Sequence, residues 1–182
     1  MIFEELSLSG LIAIKPKIFE DERGFFYESF HQKKLQLNEI AIKIVQQNHS
    51  GSKKNVLRGL HYQIENSQGK LIRVIKGQIY DVALDLRKSS STFAKWEGII
   101  LNEDNKKLLW VPSGFAHGFI VMSDWAEVEY STTDFYNPDG ERTIIWNDPE
   151  LNIKWPIPEG EKPILSKKDG QGKLFKDAET YE

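Results

Sequence analysis

Short segments of alternating apolar and polar residues, each closed by a turn signal, recur along most of this chain and leave room for little helix. Successive side chains of an extended strand point to opposite faces, so alternation marks a strand with one face in a core. The clearest case is residues 79–87. Tyr80, Val82, Leu84 and Leu86 share one face, and Asp81, Ala83, Asp85 and Arg87 share the other. Further strands are expected around 11–14, from Phe25 onward, and at 42–48, 56–63, 70–76, 93–101, 107–111, 115–122 and 126–133. Asp21-Glu22-Arg23-Gly24, Lys76-Gly77-Gln78, Pro112-Ser113-Gly114 and Asn137-Pro138-Asp139-Gly140 supply turns, and the polar run 49–55 reads as a loop. Residues 30–40 are one of few helix candidates, and their apolar positions fit a helical face only loosely. The pattern predicts an all-β sandwich or barrel.

The 182 residues suffice for one well-buried core and are short for two. With no repeat, low-complexity tract or dividing linker, residues 1–182 read as one domain, its polar segment 165–182 a peripheral tail. A formal net charge of −3 argues against a general binder of nucleic acid or anionic membrane, while leaving room for a local basic pocket. The absence of cysteine removes disulfides, thiolate metal sites and thiol nucleophiles. The acidic N-terminus lacks a signal-peptide pattern, and no apolar run approaches the ~18 residues of a membrane span. A soluble cytoplasmic protein is expected.

Chemistry concentrates in Arg58-Gly59-Leu60-His61-Tyr62-Gln63, where a cation, an imidazole, a phenol and an amide lie within one strand. Buried polar groups need partners, so such density suggests a site lining. His61 and His117 both sit in glycine-flanked, aromatic-rich strand segments, and each is either a hydrogen-bonded structural residue or a base. A metal site would need three or more ligands. Gln63 breaks the His-x-His pair after His61, and alternation turns Glu127 and Glu129 away from Ala126, Val128 and Tyr130. No metal is expected. Spacing alone reads Tyr130 as a core tyrosine whose hydroxyl finds a partner. Lys70 shares a face with Ile72 and Val74, so it either meets an anion inside or snorkels to water. Arg58, Arg23 and Lys168 carry charges suited to a diphosphate or, equally, to the surface. Strict alternation sends Arg58 and His61 to opposite faces, unless a bulge at Gly59 brings them together.

Three of these motifs resemble the dTDP-4-dehydrorhamnose 3,5-epimerase family: 58–63, Gly114-Phe115-Ala116-His117-Gly118-Phe119, and Thr133-Asp134-Phe135-Tyr136-Asn137-Pro138. Residues 21–30, Gln46-Gln47-Asn48-His49-Ser50, Trp146-Asn147-Asp148-Pro149 and 165–169 follow the same family order. The resemblance implies a cupin-like jelly-roll barrel with short peripheral helices. It also implies a homodimer, no metal or other cofactor, and action on dTDP-4-dehydro-6-deoxy-D-glucose. By resemblance His61 is the base, paired with Asp169, with Asp81 as the alternative carboxylate. Tyr130 is the proton donor and Lys70 holds the enolate oxygen. Substrate contacts carried over are Arg58 at the diphosphate, His117 in the sugar pocket, Gln46, Asn48 and Tyr136 near the nucleotide, and Glu141 and Lys168. Arg23, Phe26 and Glu28 belong to an arm reaching the neighbouring subunit. A single-centre epimerase or one acting on another nucleotide sugar uses the same residues. A metal-dependent cupin and a non-catalytic binder are the readings of a different class.

Overall fold

The computed structural model describes residues 1–40 and 42–182. It is a sandwich of two antiparallel sheets of the cupin-like jelly-roll type. Along the chain run β1 (Ile2–Glu5), β2 (Ile12–Lys15), β3 (Ile18–Asp21), β4 (Gly24–Tyr27), α1 (Gln32–Gln36), β5 (Gln46–Lys53), β6 (Leu57–Gln63) and β7 (Lys70–Lys76). Then follow β8 (Gln78–Asp85), β9 (Trp96–Asn102), β10 (Leu108–Val111), β11 (Phe115–Val121), β12 (Trp125–Thr132) and β13 (Glu141–Thr143). One sheet has the order β1-β2-β10-β7-β12-β5 and the other β13-β6-β11-β8-β9, while β3 and β4 form a separate hairpin. The chain crosses from one sheet to the other between β5 and β6 and again between β6 and β7, so neighbouring segments of the sequence face each other across the interior.

Between the sheets pack Ile72 and Val74 of β7, Ile79 and Ala83 of β8, Phe115, Phe119 and Val121 of β11, and Ala126 and Val128 of β12. Each fully buried large aliphatic contributes about 1.5–3 kcal/mol. A second layer, with Leu60, Tyr62, Val82, Leu84 and Leu86, lies outside the five-stranded sheet and is roofed by Leu151, Ile153 and Phe175. The tail is tied down by parallel bridges Val56↔Ile164, Ile144↔Lys173 and Arg87↔Tyr181. Strand β8 is therefore buried on both faces, and its polar face, with Asp81 and Asp85 both at 0% exposure, is the one turned between the sheets.

Three expectations change. The run 49–55 is mostly strand: β5 extends to Lys53 and pairs along its whole length with β12. Its polar composition misled because Gln46, Asn48, Ser50 and Ser52 share the inward face, opposite Thr132, Tyr130, Val128 and Ala126. The strand expected at 42–48 begins at Gln46 instead, and Ala41 lies outside the described residues. The helix expected over 30–40 shrinks to Gln32–Gln36, capped by the His31 side chain and buried only through Leu35. The tail carries two single-turn 3-10 helices, Asp169–Gln171 and Phe175–Asp177.

Candidate active site

A cavity of about 290 Å³ opens between the sheets, lined by Gln46, Asn48, His61, Lys70, Tyr130, Tyr136 and Glu141 among others. It sits at the lower edge of the ~300–1,000 Å³ that enclose drug-sized ligands. Strand register explains who points in. Directly paired residues share a face. Tyr130 lies opposite both Asn48 and Ile72, so Asn48, Tyr130 and the Lys70–Ile72–Val74 row face the interior together. His61 enters from the other sheet, where it pairs with His117 and Thr143.

The parity conflict between Arg58 and His61 is resolved by a bulge. On β11, His117 pairs with His61 and Phe119 with Arg58, so one residue opposes two. Gly59 and Leu60 are the two, Gly118 the one. Gly59 has φ +119, and a Cβ on it would stand 2.6 Å from the Gly118 Cα. A Cβ on Gly118 would stand 2.6 Å from the Arg58 carbonyl oxygen. Both motif glycines are thus required by close backbone approach, and the bulge puts Arg58 and His61 on the same inward face. The Arg58 Nε and one terminal nitrogen donate to the Ser52 hydroxyl at 3.1 and 3.0 Å.

His61 Nε2 lies 2.5 Å from Asp169 Oδ1. Asp169 is 3% exposed. Burial opposes its ionisation, but donors from His61, Ser166 and the Gly59 amide prevail and bring its pKa down to about 2. An ionised carboxylate only accepts, so the shared proton sits on Nε2 and leaves Nδ1 with the free lone pair. Burial lowers the His61 pKa from its ordinary 6.5, with Asp169 acting the other way. At neutral pH the ring is a neutral base with a carboxylate behind it. The second carboxylate, Asp81, serves the other histidine: both its oxygens accept from His117 Nε2, at 2.8 and 2.9 Å. His117 lies on β11, directly beside His61 on β6, and is turned to Asp81 on β8 at its other side.

Lys70 is 9% exposed and lines the cavity instead of extending to the outer surface; its Nζ donates to the His61 carbonyl at 3.3 Å. Burial brings its pKa down to about 8, with Asp81 and Glu141 acting to raise it. On the neighbouring strand of the same sheet the Tyr130 pKa is raised by burial, against the pull of the Arg58 charge, so its phenol is protonated at neutral pH. Glu141 closes the mouth: it accepts from Lys168 at 2.7 Å and from the Tyr136 hydroxyl at 3.0 Å. Gln46 accepts from the Tyr136 amide at 3.0 Å and fixes the same loop.

The hairpin residues stand apart. Arg23 and Phe26 line a cleft within β3–β4, and Glu28 pairs with Lys34 at 2.6 Å. Sequence reasoning missed Ser52 and Ser166, small residues whose importance lies in what they hold, and left Gln63 without a task. Gln63 accepts from the Asn137 amide and donates to the carbonyls of Asn66 and Phe135, which anchors the loop carrying Tyr136. Among the described residues no group of three or more histidine, cysteine, aspartate or glutamate side chains is arranged to hold a metal ion. Glu129 instead pairs with Arg73 at 2.7 Å, and Glu127 faces His49 at 3.4 Å, on the outer side of the sheet.

The family model described as dTDP-4-dehydrorhamnose 3,5-epimerase matches residues 5–177. A Pseudomonas aeruginosa protein of that name is 50% identical over 177 residues, covering 97% of each chain. A crystal structure of the Legionella pneumophila dTDP-6-deoxy-D-glucose-3,5-epimerase with dTDP-4-keto-L-rhamnose superposes with a TM-score of 0.93 at 47% identity, over 98% of this chain and 94% of that one. A 3'-monoepimerase of Streptomyces bikiniensis, in complex with dTDP-quinovose, shares the fold at TM-score 0.86 and 29% identity, over 93% of this chain and 85% of that one.

Proposed function

Since this chain belongs to the dTDP-4-dehydrorhamnose 3,5-epimerase family, a family of isomerases, we propose that it inverts C3 and C5 of dTDP-4-dehydro-6-deoxy-D-glucose with His61 as base and Tyr130 as proton donor. The C4 ketone acidifies the hydrogens at C3 and C5. His61 removes one of them, the bonding pair moves toward the ketone oxygen, and Lys70 holds the resulting enolate oxygen. Tyr130 then delivers a proton to the carbon from the opposite face, and the centre is inverted. His61 then gives its proton up to water and the Tyr130 phenolate takes one back from solvent, after which the same step at the other carbon completes the product, dTDP-4-dehydro-L-rhamnose.

These roles are supported above all by one observation: His61 and the Lys70–Tyr130 pair enter one cavity from opposing sheets. A sugar ring lying between the sheets meets a base on one face and a donor on the other. Asp169 fixes the imidazole and favours the imidazolium formed on proton abstraction. The cavity's size suits the sugar more than a whole sugar nucleotide. Arg58 is assigned to the diphosphate, with Gln46, Asn48 and Tyr136 near the nucleotide, and His117, Glu141 and Lys168 as further contacts.

The test is solvent exchange. In deuterated water with the nucleotide sugar, the parent protein incorporates deuterium at both C3 and C5, read by NMR. Tyr130→Phe retains exchange but stops short of full inversion. Exchange at neither carbon sinks the reading, exchange at one carbon makes this a single-centre epimerase, and full inversion by Tyr130→Phe removes the donor assignment.

The proposal includes a homodimer in which the β3–β4 hairpin reaches the neighbouring site. Among the described residues the hairpin pairs only with itself, and it leaves Phe19, Phe25 and Phe26 53%, 60% and 71% exposed, an apolar surface that a second copy would cover. Sedimentation is expected to give twice the chain mass. Arg23→Ala should raise KM for the nucleotide sugar with kcat little changed; a monomer with full activity overturns the arrangement. A cytoplasmic location fits this chemistry and a chain without cysteine.

A further inference from the structure

We propose that Ser166 is a positioning residue for the base, and that together with the Gly59 amide it holds Asp169 in register behind His61. This rests on His61 being the base, as proposed above. A buried carboxylate has about four acceptor sites to satisfy, and one partner leaves it free to rotate. Asp169 has a partner on each oxygen. Oδ1 receives His61 Nε2 at 2.5 Å and the Gly59 amide at 3.2 Å. Oδ2 receives the Ser166 hydroxyl at 2.6 Å.

The serine is itself oriented. Its Oγ accepts from the Asp169 amide at 3.1 Å, so its single proton is directed to the carboxylate. Its carbonyl accepts from the Gly170 amide at 3.1 Å and closes the turn. The second donor comes from the bulge. Gly59 lies in the register gap between the Arg58↔Phe119 and His61↔His117 pairs, and its amide donates to Asp169. The bulge thus brings Arg58 and His61 to one face and also supplies a donor to the partner of His61. With both oxygens held, the carboxylate plane is fixed, and with it the Nε2–H tautomer and the direction of the Nδ1 lone pair. Without Ser166 one oxygen is released, and the carboxylate can turn about its bond toward water at the exposed tail surface.

The experiment compares Ser166→Ala and Ser166→Thr with the parent by steady-state kinetics and thermal unfolding. Ser166→Ala should lower kcat about tenfold or more, the size expected for a lost hydrogen bond to a charged group, with KM within about twofold. The same bond also supports the buried Asp169 carboxylate in the folded state, so the melting temperature should fall by a few degrees, with the protein still fully folded at the assay temperature. Ser166→Thr keeps a hydroxyl and should restore most of kcat. Parent-like kcat in Ser166→Ala, failure of threonine to rescue, or a loss accounted for by unfolding at the assay temperature overturns the inference. His61→Asn, assayed alongside, separates the two ideas: an active His61→Asn removes the base assignment itself, whereas an inactive His61→Asn with a normal Ser166→Ala overturns only the role of the serine.

Discussion

His61→Asn is expected to lower kcat by about 10²–10⁴-fold, the range that general-base catalysis contributes, with loss of deuterium exchange at C3 and C5 together. Asparagine is the informative choice because it keeps a small polar side chain in the site while offering no basic lone pair; its amide nitrogen falls short of the Nε2 position that meets Asp169. The fold should survive: Asp169 keeps the Ser166 hydroxyl and the Gly59 amide, and the side chain of His61 is already 25% exposed. KM should therefore change little, because what is lost is made only as the proton leaves carbon. Both carbons should fall silent equally if one base serves both. Exchange persisting at one of them would mean a second base, and the cavity offers Glu141 as the group to mutate next.

Lys70→Met is expected to lower kcat by about 10²–10³-fold, comparable to deleting an oxyanion donor, while making the folded protein more stable. The two effects have one cause. The ammonium is buried and, among the described residues, makes a single hydrogen bond, to the His61 carbonyl, a poor exchange for water in the absence of the proposed enolate oxygen. Methionine keeps the length of the side chain and removes the charge. The sign of the pH dependence follows. The folded-state pKa is about 8, below the 10.5 of an exposed lysine, so between those values the unfolded chain binds the extra proton and stability rises with pH. The gain from Lys70→Met should therefore be full below about pH 8 and fade toward pH 10.5. Activity runs the opposite way. The parent's kcat/KM should fall above about pH 8 as the ammonium is lost, and also on the acid side, below the ordinary histidine value of 6.5, as His61 becomes protonated. The alkaline limb should vanish in Lys70→Met. A destabilised Lys70→Met, or an unchanged alkaline limb, would mean that the lysine is paired in a way the geometry does not provide.

The two predictions also mark where reading the sequence sufficed. Lys70 on the face of Ile72 and Val74, and Tyr130 on the face of Ala126 and Val128, follow from alternation alone, because β12 pairs with β5 in unbroken register and the irregularity between β12 and β7 falls beyond Val74. His61 was legible as a dense polar point in a strand. Its carboxylate was not legible from pattern: Asp169 lies 108 residues away, in a tail whose composition reads as a solvated loop. Resemblance supplied Asp169, and Asp81 stood beside it as an alternative until the structure gave each histidine its own carboxylate. Strand β5 escaped recognition for a related reason. An inward face of Gln46, Asn48, Ser50 and Ser52 looks like a loop unless the interior it faces is polar.

What the sequence determined by itself is local: strands where residues alternate, turns where glycine, proline and asparagine cluster, and glycines at 59 and 118 where something had to come close. Which face of a strand lies inside was decided only by tertiary structure. In β8 the face bearing Asp81 and Asp85 turned to the interior, because the tail covers the more apolar one. In β6 one extra residue, passing against Gly118, reversed the parity between Arg58 and His61. Alternation has a period of two and no memory of what lies opposite. The partner strand, the bulge and the returning tail turn that period into an imidazole, an ammonium and a phenol around one cavity.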